Sequence, residues 1–300
     1  MKSFSFRMGE EDIRISIDLP SNLIQQFAAA PRSYSYSGTL PKDWKTSYFQ
    51  MFLRHAADLA PLEAVLSELR RSGQPRNSEE LARLAITFVQ NAIAYDWKTA
   101  YNLASGKIKY PSETLMDGMG VCADKTILLA ALLQRLGFGL AILTWDRANH
   151  MALGIKVPAA YGNFGTAYAM VETTGPTAIG QVPERYAGGV KLDGKPEVVE
   201  IPGGTGTFQG IAAQRKEEEA LSLKYGSQYL VLPPAQQAIF RQMHPLQAEM
   251  EALSKQLKGC TGTLQPARFA ECQALQQQHN TKVELYNTLV KKFNAAAQQK

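Results

Sequence analysis

The sequence predicts an α+β fold, and three observations carry that expectation. Apolar residues alternate with polar ones at the N-terminus, as strands require. They then recur at three- and four-residue spacing up to about residue 136. Strand-like runs return between residues 140 and 201. Helices and strands together in one chain in this way make the α+β class the expectation.

Phe4 and Phe6, then Ile13, Ile15 and Ile17, alternate around Gly9-Glu10-Glu11-Asp12 and read as a β-hairpin. Pro20-Ser21-Asn22 ends it and opens a short helix over 23–30. Residues 31–43 are rich in Ser, Tyr, Pro and Gly and read as an extended connection. Helical patterns follow over 47–59 and 61–71, the second with Pro61 at its start, a favoured position for proline. Ser72-Gly73-Gln74-Pro75-Arg76-Asn77 is a break. Ser78-Glu79-Glu80 then opens a helix with Leu81, Leu84, Ala85, Phe88, Ala92 and Tyr95 on one face and Ile86, Val89 and Ile93 on another, so it is expected to be buried on two sides.

Residues 96–117 read as loop. Gly118-Met119-Gly120-Val121 then turns into the apolar helix Cys122-Ala123-Asp124-Lys125-Thr126-Ile127-Leu128-Leu129-Ala130-Ala131-Leu132-Leu133, which stops at Gly137. Strands are expected over 140–145, 150–157, 168–172 and 197–201, and residues 173–210 are rich in Gly and Pro. From about residue 234 the chain becomes Gln-rich with helical spacing, which predicts an antiparallel helical hairpin turning near Gly259–Pro266. The domain boundaries that follow are 1–74 for the N-terminal hairpin and helices, 75–210 for a central core and 211–300 for a helical extension.

Composition narrows the function classes. Of 300 residues, 45% are hydrophobic and 20% charged, as in soluble globular proteins. The net charge of +5 is dispersed, without a basic stripe interleaved with aromatics, so nucleic acid is not an expected partner. No apolar run approaches the roughly 18–20 residues that span a bilayer. Met1–Arg7 lacks the apolar core of a signal peptide, which leaves the destination open. Cys260 and Cys272 lie on either side of the expected helix–helix turn and suggest a disulfide, hence a periplasmic or secreted location; two unrelated thiols in the cytosol are the alternative. No cysteine–histidine cluster has zinc spacing, so neither a metal nor another cofactor is expected.

Cys122 begins a helix, where free N–H groups and the positive end of the dipole meet a side chain. Thiols in such positions are commonly activated, although a small buried cysteine before a core helix has the same pattern. A cysteine nucleophile needs a base and an orienting acceptor. Of the four histidines, His55 lies in a helical pattern and His244 and His279 lie in the Gln-rich tail. Only His150 opens a strand beside a loop, sharing a face with the small residues Ala152 and Gly154. If the following hairpin centres near Tyr161, His150 faces Glu172 on the next strand, and a slip of one residue would turn Glu172 to the opposite face. Further expectations are Gln90 as a second oxyanion donor beside the Cys122 N–H, Asp124 as a first-turn carboxylate or an active-site hydrogen-bonding group, and Trp97 and Trp145 as walls of a substrate groove or as core aromatics.

Tyr110-Pro111-Ser112-Glu113-Thr114-Leu115 and Gly120-Val121-Cys122-Ala123-Asp124-Lys125-Thr126 together resemble the nucleophile segment of bacterial transglutaminase-like proteins. His150-Met151-Ala152-Leu153-Gly154 is similar to their histidine strand, and Tyr168-Ala169-Met170-Val171-Glu172-Thr173-Thr174 to their acidic strand. The resemblance covers roughly residues 75–186. It implies a papain-like core with Cys122 as nucleophile, His150 as base and Glu172 as third member. Two features depart from much of the superfamily: Glu172 stands where Asp is common, and Gly-Val-Cys-Ala-Asp replaces Gly-Asp-Cys-Glu-Asp. The expected activity is acyl transfer from an amide in a protein or peptide, by a peptidase or amidase. A protein-crosslinking transglutaminase, or a silent scaffold that docks a protein through its C-terminal hairpin, are the alternatives.

Overall fold

The computed structural model describes residues 1–9, 11–102, 107–183, 186, 191–261 and 265–298. The chain forms two units, Met1–Ala212 and Ala213–Lys300, and combines helices with antiparallel sheet.

In the first unit, β1 (Lys2–Met8) and β2 (Glu11–Ile17) form the expected hairpin, pairing Phe4 with Ile15 and Phe6 with Ile13. Alternation turns these residues to one face, and both Phe rings meet Phe88 edge-on, 5.2 and 5.8 Å between centroids. Helices α1 (Leu23–Ala28), α2 (Trp44–Leu53), α3 (Leu59–Gly73) and α4 (Ser78–Ala92) follow. Asn77 caps α4 by accepting the Glu80 N–H at 2.9 Å, and two acidic residues occupy its first turn, where the dipole favours them.

The stretch expected to be loop contains two short helices, α5 (Trp97–Tyr101) and α6 (Pro111–Asp117). Asp96 caps the first through the Thr99 N–H, and Glu113 reaches back to the Tyr110 N–H to close the start of the second. Flanking the two helices in sequence, β3 (Ala94–Tyr95) and β4 (Met119–Gly120) form a two-residue parallel pairing. α7 (Cys122–Arg135) is almost wholly buried. It packs on a four-stranded antiparallel sheet of order β7-β6-β5-β8, made of β5 (Leu140–Trp145), β6 (His150–Lys156), β7 (Tyr168–Val171) and β8 (Glu197–Ile201). Leu140, Ile142, Leu153, Ile155 and Val171 share one core with Ile127 through Leu133, whereas Ala141, Leu143, Trp145, Ala152 and Met170 build a second cluster on the opposite side of the sheet.

The turn leading into β7 is tight. A Cβ placed on Gly162 would lie 1.8 Å from the Thr166 carbonyl oxygen, which belongs to the backbone and cannot swing away. Gly162→Ala is therefore expected to cost about 1–3 kcal/mol, in line with other overpacked sites, and to lower the thermal midpoint in calorimetry. An unchanged midpoint would mean that the turn relaxes freely.

The second unit holds most of α8 (Ile211–Tyr225), with α9 (Pro234–Leu257) and α10 (Pro266–Gln298). Gln236 donates to the Phe293 carbonyl, Ser254 meets His279, and Glu249 pairs with Lys282, so α9 and α10 run antiparallel. Cys260 and Cys272 are within disulfide distance, with Cα atoms 5.8 Å apart. Part of the expected turn, residues 262–264, lies outside the described residues. Among the described residues no helix is long and apolar enough to cross a membrane.

Candidate active site

The approach to Cys122 is built by the backbone. Gly118 ends α6 with φ +70°, a conformation open to glycine, and Gly120 has no room for a side chain, since its Cβ would sit 2.7 Å from that of Asp124. Asp124 is buried within the first turn of α7 and accepts the Val121 N–H at 3.1 Å and the Lys109 N–H at 2.8 Å. It fixes the turn ahead of Cys122 and staples the 109–110 segment to it, which is a capping role. Burial pushes its carboxyl up, and the two backbone N–H groups counter that.

His150 arrives from the other side. Asp146–Ala148 make one 3₁₀ turn, and Asn149 takes a left-handed φ of 46°, which Asn tolerates better than most residues. His150 is thereby the first residue of β6, at the end of the sheet that meets the N-terminus of α7. The Asn149 carbonyl lies 3.9 Å from Cys122 Sγ, and Thr126 Oγ1 donates to the Met151 carbonyl, tying helix to strand.

The ladder between β6 and β7 differs from the expected register. Leu153 pairs with Val171 and Gly154 with Met170, which centres the hairpin one residue later, at Gly162. That moves the partner of every residue by two. In this register Glu172 lies just past the end of β7, level with Ala152 rather than His150. A shift of two preserves the face, so Glu172 reaches diagonally across the small Ala152 side chain to His150. His150 Nε2 and Glu172 Oε2 are 2.9 Å apart, with both side chains buried. Glu172 Oε1 accepts the Thr173 N–H at 2.9 Å, the Thr174 N–H at 2.8 Å and the Thr174 hydroxyl at 2.7 Å. The Cys122 side chain is a second hydrogen-bonding partner of the imidazole.

The electrostatics follow from these contacts. Burial pulls the His150 imidazole down, but hydrogen bonds with Cys122 and Glu172, and their charges, outweigh it and raise His150 to about 9. Burial likewise pushes Glu172 up, yet His150 and the Thr174 bonds overcome it and hold the carboxylate below its ordinary range. An imidazolium–carboxylate pair is thus the favoured state of the two groups at neutral pH.

Cys122, His150, Glu172 and Asp124 come together. Gln90 does not act as expected, because its Nε2 donates to the backbone carbonyls of Glu172 at 2.8 Å and Thr177 at 3.0 Å. Its amide is committed to the loop carrying Glu172 instead of being aimed at an oxyanion. Trp145 is core, not groove: it pairs with His150 across β5–β6, its ring lies 6.0 Å from the imidazole, and its indole N–H donates to the Gly194 carbonyl. Trp97 is 45% exposed and stands between Tyr95 and Tyr101, with centroid distances of 4.7 and 5.9 Å. Tyr95 opposes Gly120 in the parallel pairing, and its hydroxyl is raised to about 12 by burial together with the charges of Cys122, Glu172 and Asp124. The run of rings therefore starts from half-buried Tyr95, opposite Gly120, and reaches the surface at Trp97 and Tyr101.

Two neighbours were not legible. The Tyr186 ring lies 4.6 Å from the imidazole, but it comes from a Gly/Pro-rich stretch without periodicity. The Asn149 carbonyl is a backbone group whose position depends on the turn. Among the described residues, no cluster of His, Cys, Asp or Glu could hold a metal ion.

The comparisons agree with the local architecture. No curated protein matches the chain. A family described as a transglutaminase-like domain matches residues 62–162, a segment that contains Cys122, Asp124 and His150 and ends before Glu172. Residues 62–162 of the 300 are thus similar to a transglutaminase-like domain.

Proposed function

We propose that the transglutaminase-like domain is a cysteine-dependent acyl-transfer site acting on amide bonds, with Cys122 as nucleophile, His150 as acid and base, and Glu172 as the group that orients and charges the imidazole. The observation that carries this reading is one buried imidazole 2.9 Å from the Glu172 carboxylate, with Cys122 as its other hydrogen-bonding neighbour. A nucleophile, a base and an orienting acceptor are what thiol catalysis requires. The helix α7 resting on an antiparallel sheet supports a papain-like core.

In the first half-reaction the thiolate attacks the amide carbonyl carbon and a C–S bond forms. The carbonyl oxygen takes negative charge beside the Cys122 backbone N–H, which has no intrahelical acceptor in the first turn. The His150 proton passes to the amide nitrogen, the C–N bond breaks, and the amine leaves a thioester. Water, deprotonated by neutral His150, then attacks the thioester carbon; the C–S bond breaks, the carboxylic acid leaves, and the thiolate and imidazolium are restored. Hydrolysis is the favoured outcome because water is always at hand. A primary amine in its place would give transamidation. The rings of half-buried Tyr95 and exposed Trp97 and Tyr101 would receive a peptide side chain flanking the scissile bond. The Cys260–Cys272 pair supports an oxidising compartment.

The test is a peptide and amide library, with and without an added amine, read by product mass. Wild type is expected to cleave a subset of amides and Cys122→Ala none. Equal cleavage by both would overturn the reading.

A further inference from the structure

Lys125 is the least expected residue in the core. It lies one turn along α7 from Cys122, only 1% exposed. Its ammonium donates to the Ile93 carbonyl at 2.6 Å and stands 3.5 Å from that of Gln90. These carbonyls end helix α4, where a positive charge is favoured. Among the described residues Lys125 has no ion pair. A buried ammonium without one is costly, and a cap on α4 could have been made by a neutral donor. Burial pulls Lys125 down to about 8 even against the charge of Glu172, the carboxylate that acts on it. The same end of α4 supplies Gln90, whose amide holds the Glu172 and Thr177 carbonyls.

The groups around this arrangement are few. Glu172 faces His150 and the Thr174 hydroxyl. Tyr95 and Tyr186 feel the Glu172 charge. Asp124, the residue before Lys125, is turned to the Val121 and Lys109 N–H groups. With Cys122 as thiolate and His150 as imidazolium, the Glu172 carboxylate leaves one negative charge in excess, and Lys125 is a buried cation that interacts electrostatically with Glu172.

We propose that Lys125 is a positioning residue and the buried counter-charge of this site: its ammonium fixes the end of α4, from which Gln90 holds Glu172, and its charge offsets the second anion when Cys122 is a thiolate. This inference rests on the functional reading above. Substrate never touches Lys125. Its influence passes through Glu172 and the charge state of the Cys122–His150 pair.

A double-mutant cycle on the full chain tests it, read by the rate of iodoacetamide labelling at Cys122 from pH 5 to 10, with thermal midpoints measured alongside. Lys125→Met should slow labelling at pH 7 about tenfold and shift the profile to higher pH by roughly one unit, as expected for loss of a nearby positive charge. Lys125→Arg should retain most of the rate. In a Glu172→Gln background the Lys125→Met loss should shrink to about twofold or less. Lys125→Gln, which keeps a donor for the Ile93 carbonyl but not the charge, gives the same reading should the Met variant not fold. An equal loss in both backgrounds, or a profile that does not move, would overturn the proposal. The functional reading fails separately, if wild-type Cys122 labels no faster than it does in His150→Ala.

Discussion

Replacing His150 by alanine is expected to lower kcat/KM for any cleaved amide by 10²–10⁴-fold, the range that a positioned acid and base supplies. The loss should fall mainly on kcat, because His150 is buried and serves the proton transfers rather than substrate binding. His150 also holds the proton that the leaving amine needs, so thioester formation, read as a burst of amine product, should disappear with turnover. Wild type should lose activity as the pH rises through about 9, where the imidazolium is titrated. A variant with a normal burst and slow turnover would move His150 out of the first half-reaction. A pH profile flat from 7 to 10 would remove it from the mechanism.

Glu172→Gln should have the second largest effect, and on stability as well as rate. Removing one partner of a buried pair typically costs about 3–5 kcal/mol, because the other charge stays buried and unpaired. Glutamine keeps the shape, so the loss should lie at the low end of that range. The dependence on pH follows from the two shifts. His150 is raised in the folded chain, so its contribution to stability is complete below its ordinary value near 6.5 and is lost as the pH rises through about 9. Glu172 is lowered, so its contribution is present above its ordinary value and is lost as the pH falls through its depressed one. Urea unfolding should therefore show this pair's stabilisation greatest between about pH 4.5 and 6.5. In Glu172→Gln both flanks should flatten, and the basic limb of the rate profile should move down towards 6.5. A variant with wild-type stability at pH 6 would show that the pair contributes nothing net.

The site was legible in the sequence to the extent that its geometry is set by local pattern. Cys122 follows a glycine turn into an apolar run, and a helix start is a local feature. His150 and Glu172 share a face because strand residues alternate, and that parity survived an error in the turn centre: centring at Gly162 instead of Tyr161 moved the ladder by two residues, not one. Had the turn carried one residue more or fewer, Glu172 would have pointed away. The Phe4–Ile17 hairpin was legible for the same reason.

What was missed depends on contacts distant in sequence or on short capped segments. α5 and α6 hold only a turn or two each and owe their start to Asp96 and Glu113 side chains, so periodicity had too few residues to register. Gln90 is expected as an oxyanion donor only from its place on the buried helix before the cysteine segment. Its partners, the Glu172 and Thr177 carbonyls, come from a loop more than eighty residues away. Lys125, inside an otherwise apolar helix, stood out only once the end of α4 was placed against it.

Site-resolved alkylation decides whether Cys122 is a nucleophile activated by His150. Native chain treated with iodoacetamide at neutral pH, then digested, should carry label on Cys122 at a rate at least about tenfold above that in His150→Ala, with Cys260 and Cys272 unlabelled until reduced. Labelling of Cys122 at the same slow rate in both proteins would contradict the claim.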